Sequence, residues 1–243
     1  MKEQITPYKH QTSSKKEQVT HMFDGISKDY DLLNRVISLG IDQSWRKKVV
    51  RLVAKKNPQR ILDIATGTGD LAIALKKTQA KEIIGLDISP GMLSIGEKKV
   101  RELNLDNIIL MVIGDSEALD YPDNSFDVVT VAFGVRNFEV LDKGLAEIYR
   151  VLRPSGTLVV LETAVPTKFP FKQGYQIYTG WIVPTLGKLF SKDKNAYQYL
   201  SESAAAFPHG AAFNNILEKI GFIEVEDNPQ TLGVASIYCG TKP

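Results

Sequence analysis

Cysteine is nearly absent from this chain of 243 residues, which contains a single one, Cys239. One thiol excludes an internal disulfide framework and any zinc site built from several cysteines. Histidine is almost as scarce, and His10, His21 and His209 lack the spacing of a metal-binding pair. We therefore expect no metal centre.

Long hydrophobic runs are also missing. The longest uncharged stretches, 173–187 and 203–217, have 15 residues each and include glycine and proline. A membrane-spanning helix needs about 20 apolar residues, so none is expected. The first residues lack the apolar core of a secretion signal, and we expect a cytoplasmic protein.

Neither sign of charge dominates, because 30 lysines and arginines and 28 aspartates and glutamates leave a net charge of +2. This balance argues against a nucleic-acid partner. The charges are uneven, however: residues 1–60 have a balance of +7 and the remainder −5. The basic residues either solvate helix faces or face an anionic membrane, and they include Lys15, Lys16, Lys47, Lys48, Lys55 and Lys56.

Apolar residues, by contrast, are present in an ordinary proportion of 43% and recur in short runs. These runs predict strands at 60–65, 82–88, 108–113, 126–133 and 157–163, with helices between them at 69–78, 90–104 and 139–152. The alternation predicts an α/β fold with a parallel sheet covered by helices. No repeat or flexible linker divides the chain, so we expect one domain.

The C-terminal residues follow a different pattern. A helix over 211–222 should end at Gly221, and strands at 222–227 and 233–241 are separated by only a short turn. Parallel neighbours need a crossover of about a dozen residues, so this last pair must be antiparallel. We therefore expect a Rossmann-like parallel sheet closed by an antiparallel hairpin.

Two segments are additional to the core, which we place at 60–162 with the C-terminal helix and hairpin at 207–243. Residues 1–59 are predicted to be an N-terminal helical extension, and 163–206 an aromatic, helical insertion. The aromatic residues either pack onto the domain or line an apolar pocket. They include Phe169, Phe171, Tyr175, Tyr178, Trp181, Phe190, Tyr197 and Tyr199.

The first predicted strand runs into a glycine-rich turn at 63–70, which reads D-I-A-T-G-T-G-D. Glycine between a strand and a helix lets the backbone approach a ligand closely. Residues 67–72 match the G-x-G-x-x-[G/A] pattern of dinucleotide-binding proteins, although a tight structural turn fits the same residues. The candidate binding residues are Gly67, Thr68 and Gly69.

Three carboxylates help to decide which ligand such a turn binds. Asp63 would repel a pyrophosphate but would suit a cationic amino-acid group. Asp87 ends the second strand, where it can accept the hydrogen bonds of a ribose diol. Asp115, which is followed by Ser116, could accept a hydrogen bond from an adenine amino group. The set fits S-adenosylmethionine (SAM) better than NAD, although each aspartate could instead cap a following helix.

Further stretches resemble one family, the menaquinone/ubiquinone biosynthesis C-methyltransferases, which are class I SAM-dependent methyltransferases. Y-D-L-L-N at 30–34, S-L-G at 38–40 and W-R at 45–46 resemble one of its signatures. F-G-V-R-N at 133–137 and the stretch 150–162 resemble two more segments. The chain departs from the family pattern at Ala132, Ser155 and Thr163-Ala164, which puts the positioning of substrate near the fifth strand in question.

The resemblance implies SAM as methyl donor and C-methylation of the ring of a polyprenyl hydroquinone. Residues 17–24 look most like the menaquinone-making branch, which favours demethylmenaquinol over a ubiquinone precursor. A membrane-dissolved substrate would bring the protein transiently to the inner face of the membrane. The resemblance does not decide the oligomeric state, and a homodimer is one alternative.

Three residues are candidates for the chemistry at the acceptor. Arg136 follows the fourth strand, at the sheet edge where ligands bind, and its permanent charge can stabilise a phenolate but cannot act as a base. Asn137 and Tyr30 could complete the hydrogen bonds around the acceptor oxygen. Their structural alternatives are an ion pair of Arg136 with a carboxylate such as Glu139, a helix cap at Asn137 and simple packing of Tyr30.

If the glycine turn is considered without the other motifs, two further classes of function are compatible with it. One is an NAD-dependent oxidoreductase, although Asp63 and the lack of a second nicotinamide-binding pattern count against it. The other is a non-catalytic module that binds a cofactor.

Overall fold

A sheet forms the centre of the protein in the computed structural model, which describes residues 5–178, Gly180 and 193–243. Its strands are β1 Arg60–Ile64, β2 Glu82–Asp87, β3 Ile109–Ile113, β4 Phe126–Ala132, β5 Leu152–Thr163, β6 Ile223–Gln230 and β7 Ala235–Thr241. Their order is β3-β2-β1-β4-β5-β7-β6. The first five are parallel, whereas β7 is antiparallel to both β5 and β6. The predicted parallel sheet with an antiparallel hairpin is confirmed.

Helices pack on both faces of the sheet. They are α1 Lys15–Ile37, α2 Ile41–Ala54, α3 Asp70–Leu75, α4 Pro90–Glu102, α5 Leu141–Val151, α6 Phe171–Ile177, α7 Lys194–Ala206 and α8 Ala211–Ile220. The central strands are apolar on both sides, so Leu62 and Val129 face one core while Ile61 and Val128 face the other. None of the described helices is long and apolar enough to cross a membrane.

The N-terminal helical extension consists of α1 and α2, as the sequence predicts. Ser14 and Glu17 form a capping box that fixes the start of α1. Val19 and Met22 of α1 then pack against Met92 of α4 and Tyr199 of α7 in one buried cluster. This packing holds α1 across the ends of the parallel strands.

The C-terminal part of the chain also follows the prediction where it is described. Gly221 ends α8 with a φ of +117°, a left-handed conformation that glycine adopts most easily. In the predicted insertion at 163–206, the described residues include α6 and α7, which are helical as expected. Trp181 and Phe190 lie outside the described residues.

The position of β1 indicates where a ligand binds. This strand lies between β2 and β4, so the strand order reverses there. Ligands of open α/β sheets bind beyond the carboxyl ends of the strands at such a reversal. The loops after the parallel strands are therefore the candidate site.

Candidate active site

The glycine-rich turn after β1 is fastened to β2. Thr66 N donates to Leu86 O at 3.0 Å, and Gly67 N donates to Oδ2 of Asp87 at 2.7 Å. Gly67 and Gly69 have φ angles of +57° and +79°, which residues with a side chain adopt only with strain. The turn thus requires both glycines for its own shape and exposes backbone to the cleft in front of it.

Asp87 fastens the turn to β2, because each of its oxygens accepts one backbone hydrogen bond. Oδ2 accepts from Gly67 N, and Oδ1 accepts from Ser89 N at 2.9 Å. Burial raises the pKa of this carboxyl, and the backbone hydrogen bonds oppose that rise. The alternative that Asp87 caps α4 is wrong, since the Ser89 hydroxyl accepts from Met92 N and forms the cap.

Asp115 lies beyond β3 and is paired with α1. Its Oδ2 is 2.6 Å from Nζ of Lys16, and its Oδ1 accepts from Glu117 N at 2.9 Å. Burial alone would raise the pKa of Asp115, but these partners lower it below its ordinary value. No helix begins here, so the capping alternative is wrong for Asp115 as well. Lys16 therefore pairs with a carboxylate at the end of the sheet, while its side chain remains 36% exposed.

Asp63 lies beneath the turn and is only 1% exposed. Thr66 and Thr130 each donate a hydroxyl hydrogen bond of 2.6 Å to it, one to each carboxylate oxygen. Burial raises the pKa of Asp63 to about 6, and these hydrogen bonds limit the rise. Asp63 still borders a small side pocket beside Gly67 and Thr68.

A cleft of about 700 Å³, part of it open to solvent, lies in front of the turn; we call it the strand-end cleft. Gly67, Asp87, Asp115 and Ser116 border it, so the structure brings these predicted residues together. Its apolar walls come from α1, α4, β2 and the loops after β2 and β4; they are Val19, Phe23, Leu86, Ile88, Met92, Phe133 and Phe138.

A second, larger cavity of about 1360 Å³ adjoins the first; we call it the aromatic cavity. Tyr30 and Phe133 border both, so the two spaces meet at these residues. Most of its wall is apolar or aromatic and comes from the N-terminal extension and the insertion, including Ile37, Leu39, Ile41, Trp45, Tyr175, Tyr178, Leu200 and Ala204. The pocket alternative for the aromatic insertion is therefore confirmed for Tyr175 and Tyr178.

Arg136 borders the aromatic cavity and forms a buried ion pair with Glu162. The side chains are 8% and 0% exposed. The structural alternative for Arg136 was an ion pair with a helix carboxylate such as Glu139; the structure contains an ion pair, but its partner is Glu162 at the end of β5. Burial lowers the pKa of Arg136, but Glu162, Tyr30 and Tyr199 together raise it above its ordinary value, so the guanidinium stays charged. Among the described residues, Nε of Arg136 and Oε2 of Glu162 are buried without a hydrogen-bond partner.

Asn137 and Tyr30 flank this pair. Asn137 Oδ1 accepts from the Tyr199 hydroxyl at 3.1 Å, and its Nδ2 donates to Phe133 O at 3.4 Å. Asn137 does not cap α5, which begins after Val140 without a side-chain cap. Tyr30 packs edge-on against Phe23, with ring centroids 5.8 Å apart. Burial raises the pKa of its hydroxyl.

Two residues of the site, Glu162 and Lys15, have no role that the sequence alone predicts. Glu162 lies within the family-like segment 150–162, but nothing in that segment indicates its partner. Lys15 Nζ donates to the carbonyl oxygens of Arg136 and Phe138 at 3.0 and 2.7 Å, and it therefore fixes the loop after β4. A pair of lysines at the start of a helix gives no local signal for such contacts, because their partners lie more than ninety residues away.

The comparisons with known proteins agree with this geometry. A parallel sheet closed by an antiparallel hairpin, with a glycine turn and strand-end aspartates at one cleft, defines a class I SAM-dependent methyltransferase. A solved SAM-dependent methyltransferase from Thermotoga maritima shares the fold with a TM-score of 0.60 at 19% identity, covering 92% of this chain and 99% of that one.

The family follows from closer relatives. The profile described as the ubiE/COQ5 methyltransferase family matches residues 11–242. The demethylmenaquinone methyltransferase of Bacteroides fragilis is 47% identical over 241 residues, which is 99% of this chain and 98% of that protein. That of Thermus thermophilus is 45% identical over 223 residues, covering 91% and 100%. The chain belongs to the ubiE/COQ5 methyltransferase family.

SAM is accordingly the cofactor, and the residues of the strand-end cleft fit it. The glycine turn presents backbone to the cleft without side chains in the way, and the carboxylates of Asp87 and Asp115 border the same cleft. Apolar side chains such as Ile88 and Phe138 offer surfaces for a flat base. No cluster of three or more metal-ligating side chains occurs among the described residues.

Proposed function

We propose that this protein transfers the methyl group of SAM to a ring carbon of demethylmenaquinol. The observation that carries the proposal is the meeting of the strand-end cleft and the aromatic cavity at Tyr30 and Phe133. A methyl donor and a large apolar ring can thereby lie in contact. Relatives at 47% and 45% identity are named demethylmenaquinone methyltransferases, which supports this acceptor.

On the donor side, we assign Asp87 to the ribose hydroxyls and Asp115 with Ser116 to the adenine. Asp63 is assigned to the ammonium group of the methionine moiety, because each of its oxygens has a lone pair beyond the one used by a threonine. The backbone of residues 67–69 approaches the ligand at the turn. When bound, SAM supplies a sulfonium methyl group that is already electrophilic.

On the acceptor side, the protein must make the ring carbon nucleophilic. A hydroquinone carbon gains electron density when the adjacent hydroxyl loses its proton, so a cation that stabilises the phenolate lowers the barrier. Arg136 is assigned this role, and the carboxylate of Glu162 keeps it oriented and charged. Asn137 and Tyr30 orient the acceptor oxygen, with Asn137 held by Tyr199.

The division of the chain supports the same function. We infer a single methyltransferase domain in which 60–162 and 207–243 hold the cofactor. Residues 1–59 and 163–206 contribute most of the aromatic cavity and so select the acceptor.

The test is quinone profiling of a bacterial host that lacks its own C-methyltransferase for quinones. Expression of this chain should convert accumulated demethylmenaquinone to menaquinone. Methylation of the ubiquinone precursor alone would reject the menaquinone assignment in favour of the ubiquinone branch. Preferential binding of NADH over S-adenosylhomocysteine (SAH) in calorimetry would reject the reaction class.

We further propose that the protein takes its substrate from an anionic membrane surface. Leu39 and Ile41 line the aromatic cavity, and Ile177 and Leu232 are the chain neighbours of its lining residues Tyr178 and Thr231. We call these four aliphatic residues the rim; they are exposed, at 75%, 36%, 61% and 64% for Leu39, Ile41, Ile177 and Leu232. Exposed Arg35 and Lys47 lie nearby in the chain. Aliphatic insertion together with basic residues is the usual basis of peripheral membrane binding.

Replacing Leu39 and Leu232 by glutamate should weaken binding to vesicles with anionic lipid by about tenfold or more, because two leucines that would insert into the membrane are lost and two negative charges are added. Sedimentation with vesicles measures this. The matched control replaces exposed Leu103 and Leu110, which lie away from the cavity, by glutamate. Equal loss in both pairs, or no loss in either, would contradict the proposal. Activity toward a short-chain, water-soluble quinol should stay unchanged in Leu232→Glu alone, because Leu232 is not among the residues that line the aromatic cavity.

A further inference from the structure

Arg46 lies where three spaces come together. It borders the aromatic cavity and also the side pocket beneath the glycine turn, which is lined by Asp63, Gly67 and Thr68 as well. Its guanidinium carbon is 5.5 Å from the centre of the Phe133 ring, and that ring borders the strand-end cleft. Arg46 therefore stands beside the point where the donor and acceptor spaces join.

The guanidinium is held in place before any ligand binds. Its Nη1 donates to Asp42 Oδ2, and Asp42 Oδ1 in turn accepts from the Ser38 hydroxyl at 2.7 Å. The side chains of Arg46 and Asp42 are 13% and 11% exposed. Within the described part of the chain, Nε of Arg46 is buried and has no hydrogen-bond partner. A buried donor without an acceptor costs free energy unless a ligand supplies one.

The side pocket is rich in carboxylates. Asp31 and Asp70 share the ammonium group of Lys99, at 2.5 and 2.7 Å, so one of these two negative charges is balanced there. Asp63 is left to receive a cation. Among the described residues that line this pocket, Arg46 is the only basic one. An anionic ligand group placed beside these acids would need that guanidinium.

We propose that Arg46 binds the carboxylate of the methionine moiety of SAM. This moiety is a zwitterion, and the pocket offers one acid, Asp63, for its ammonium and one base for its carboxylate. Burying a carboxylate without a cationic partner is strongly unfavourable, and a guanidinium suits a carboxylate through its paired donors. The proposal rests on SAM as donor and is independent of which quinol is methylated.

The acceptor side has less need of Arg46. Arg136 already provides a buried cation at the aromatic cavity, and its position after β4 places it at the sheet edge. The acceptor ring forms a single phenolate, which one cation can stabilise. A second cation at the aromatic cavity would only add further positive charge there. The methionine carboxylate, in contrast, has no other basic residue in the described lining of the side pocket.

The test is calorimetric binding of two ligands to the full chain carrying Arg46→Gln. SAH has the carboxylate, whereas S-adenosyl-3-thiopropylamine lacks only that group. Wild-type protein should bind SAH about 10- to 100-fold more tightly than the amine, and Arg46→Gln should weaken SAH by the same factor. The affinity for the amine should hardly change, so the preference between the ligands disappears.

Arg51→Gln, an exposed arginine on the same helix, is the matched control and should bind both ligands as the wild type does. Asp42→Asn loosens the anchor of Arg46 and should reduce the preference for SAH in part. Equal weakening of both ligands by Arg46→Gln, or of neither, would overturn the proposal. Unchanged SAH binding with a raised KM for quinol would place Arg46 on the acceptor instead. A wrong quinol assignment would leave these binding results unaffected.

Discussion

Arg136→Gln is expected to lower kcat for methylation by about 10²- to 10³-fold while SAH binding stays close to that of the wild type. Removal of one preorganised group that stabilises charge in a transition state typically costs about that much. Arg136 borders the aromatic cavity but does not border the strand-end cleft, so the donor should still bind. Kinetics with a soluble quinol and calorimetry with SAH measure the two effects separately.

The buried partner of Arg136 makes a second variant necessary. Glu162 is fully buried, and removing one member of a buried ion pair typically costs about 3–5 kcal/mol of unfolding free energy. The double variant Arg136→Gln with Glu162→Gln removes both charges and should recover most of that stability, as thermal unfolding would show. If activity recovers together with stability, Arg136 is structural and its proposed role is wrong.

Asp87→Ala is expected to weaken SAH binding by about 100-fold or more. The carboxylate accepts backbone hydrogen bonds from Gly67 and Ser89, and we assign it to the ribose as well. Hydrogen bonds to a charged group are worth about 1.5–3 kcal/mol each, and the glycine turn loses its link to β2. Calorimetry at neutral pH gives the affinity directly.

The control for Asp87 is Asp106→Ala, an exposed acid between α4 and β3 that should leave the affinity for SAH unchanged. Asp87→Asn is informative as well, because it keeps the size of the side chain but replaces one acceptor with a donor. It should bind SAH poorly for that reason. Wild-type affinity in Asp87→Asn would mean that neither the turn nor the ribose requires the carboxylate.

The order and type of the core elements could be predicted from local patterns. Apolar runs such as 126–133 became strands buried on both faces, and the short turn before 233–241 forced an antiparallel pair. The strand-end positions of Asp63, Asp87 and Asp115 were predictable too. Parallel strands end at the same edge of a sheet, so residues distant in the chain come together there.

The partners of these residues were not predictable in the same way. The N-cap alternatives failed for Asp87 and Asp115 because Ser89 forms the cap of α4 and no helix follows Asp115. The alternative of an ion pair for Arg136 named a helix carboxylate such as Glu139, whereas the pair in the structure joins the loop after β4 to Glu162 of β5. The spacing of hydrophobic residues predicts which face of a helix or strand is buried. It does not predict which charged side chains of two different elements will form a pair.

What the sequence determined by itself is therefore the α/β fold, the shape of the glycine turn and the row of acids at its edge. Each depends on local periodicity, on the special backbone freedom of glycine, or on the rule that parallel strands end together. Only the tertiary structure decided that Lys16 pairs with Asp115 and that Arg46 lies beside Asp63. It also joined the aromatic cavity to the strand-end cleft. These contacts depend on how α1, α2 and the insertion pack onto the sheet, which is fixed by the complete core rather than by any single stretch of chain.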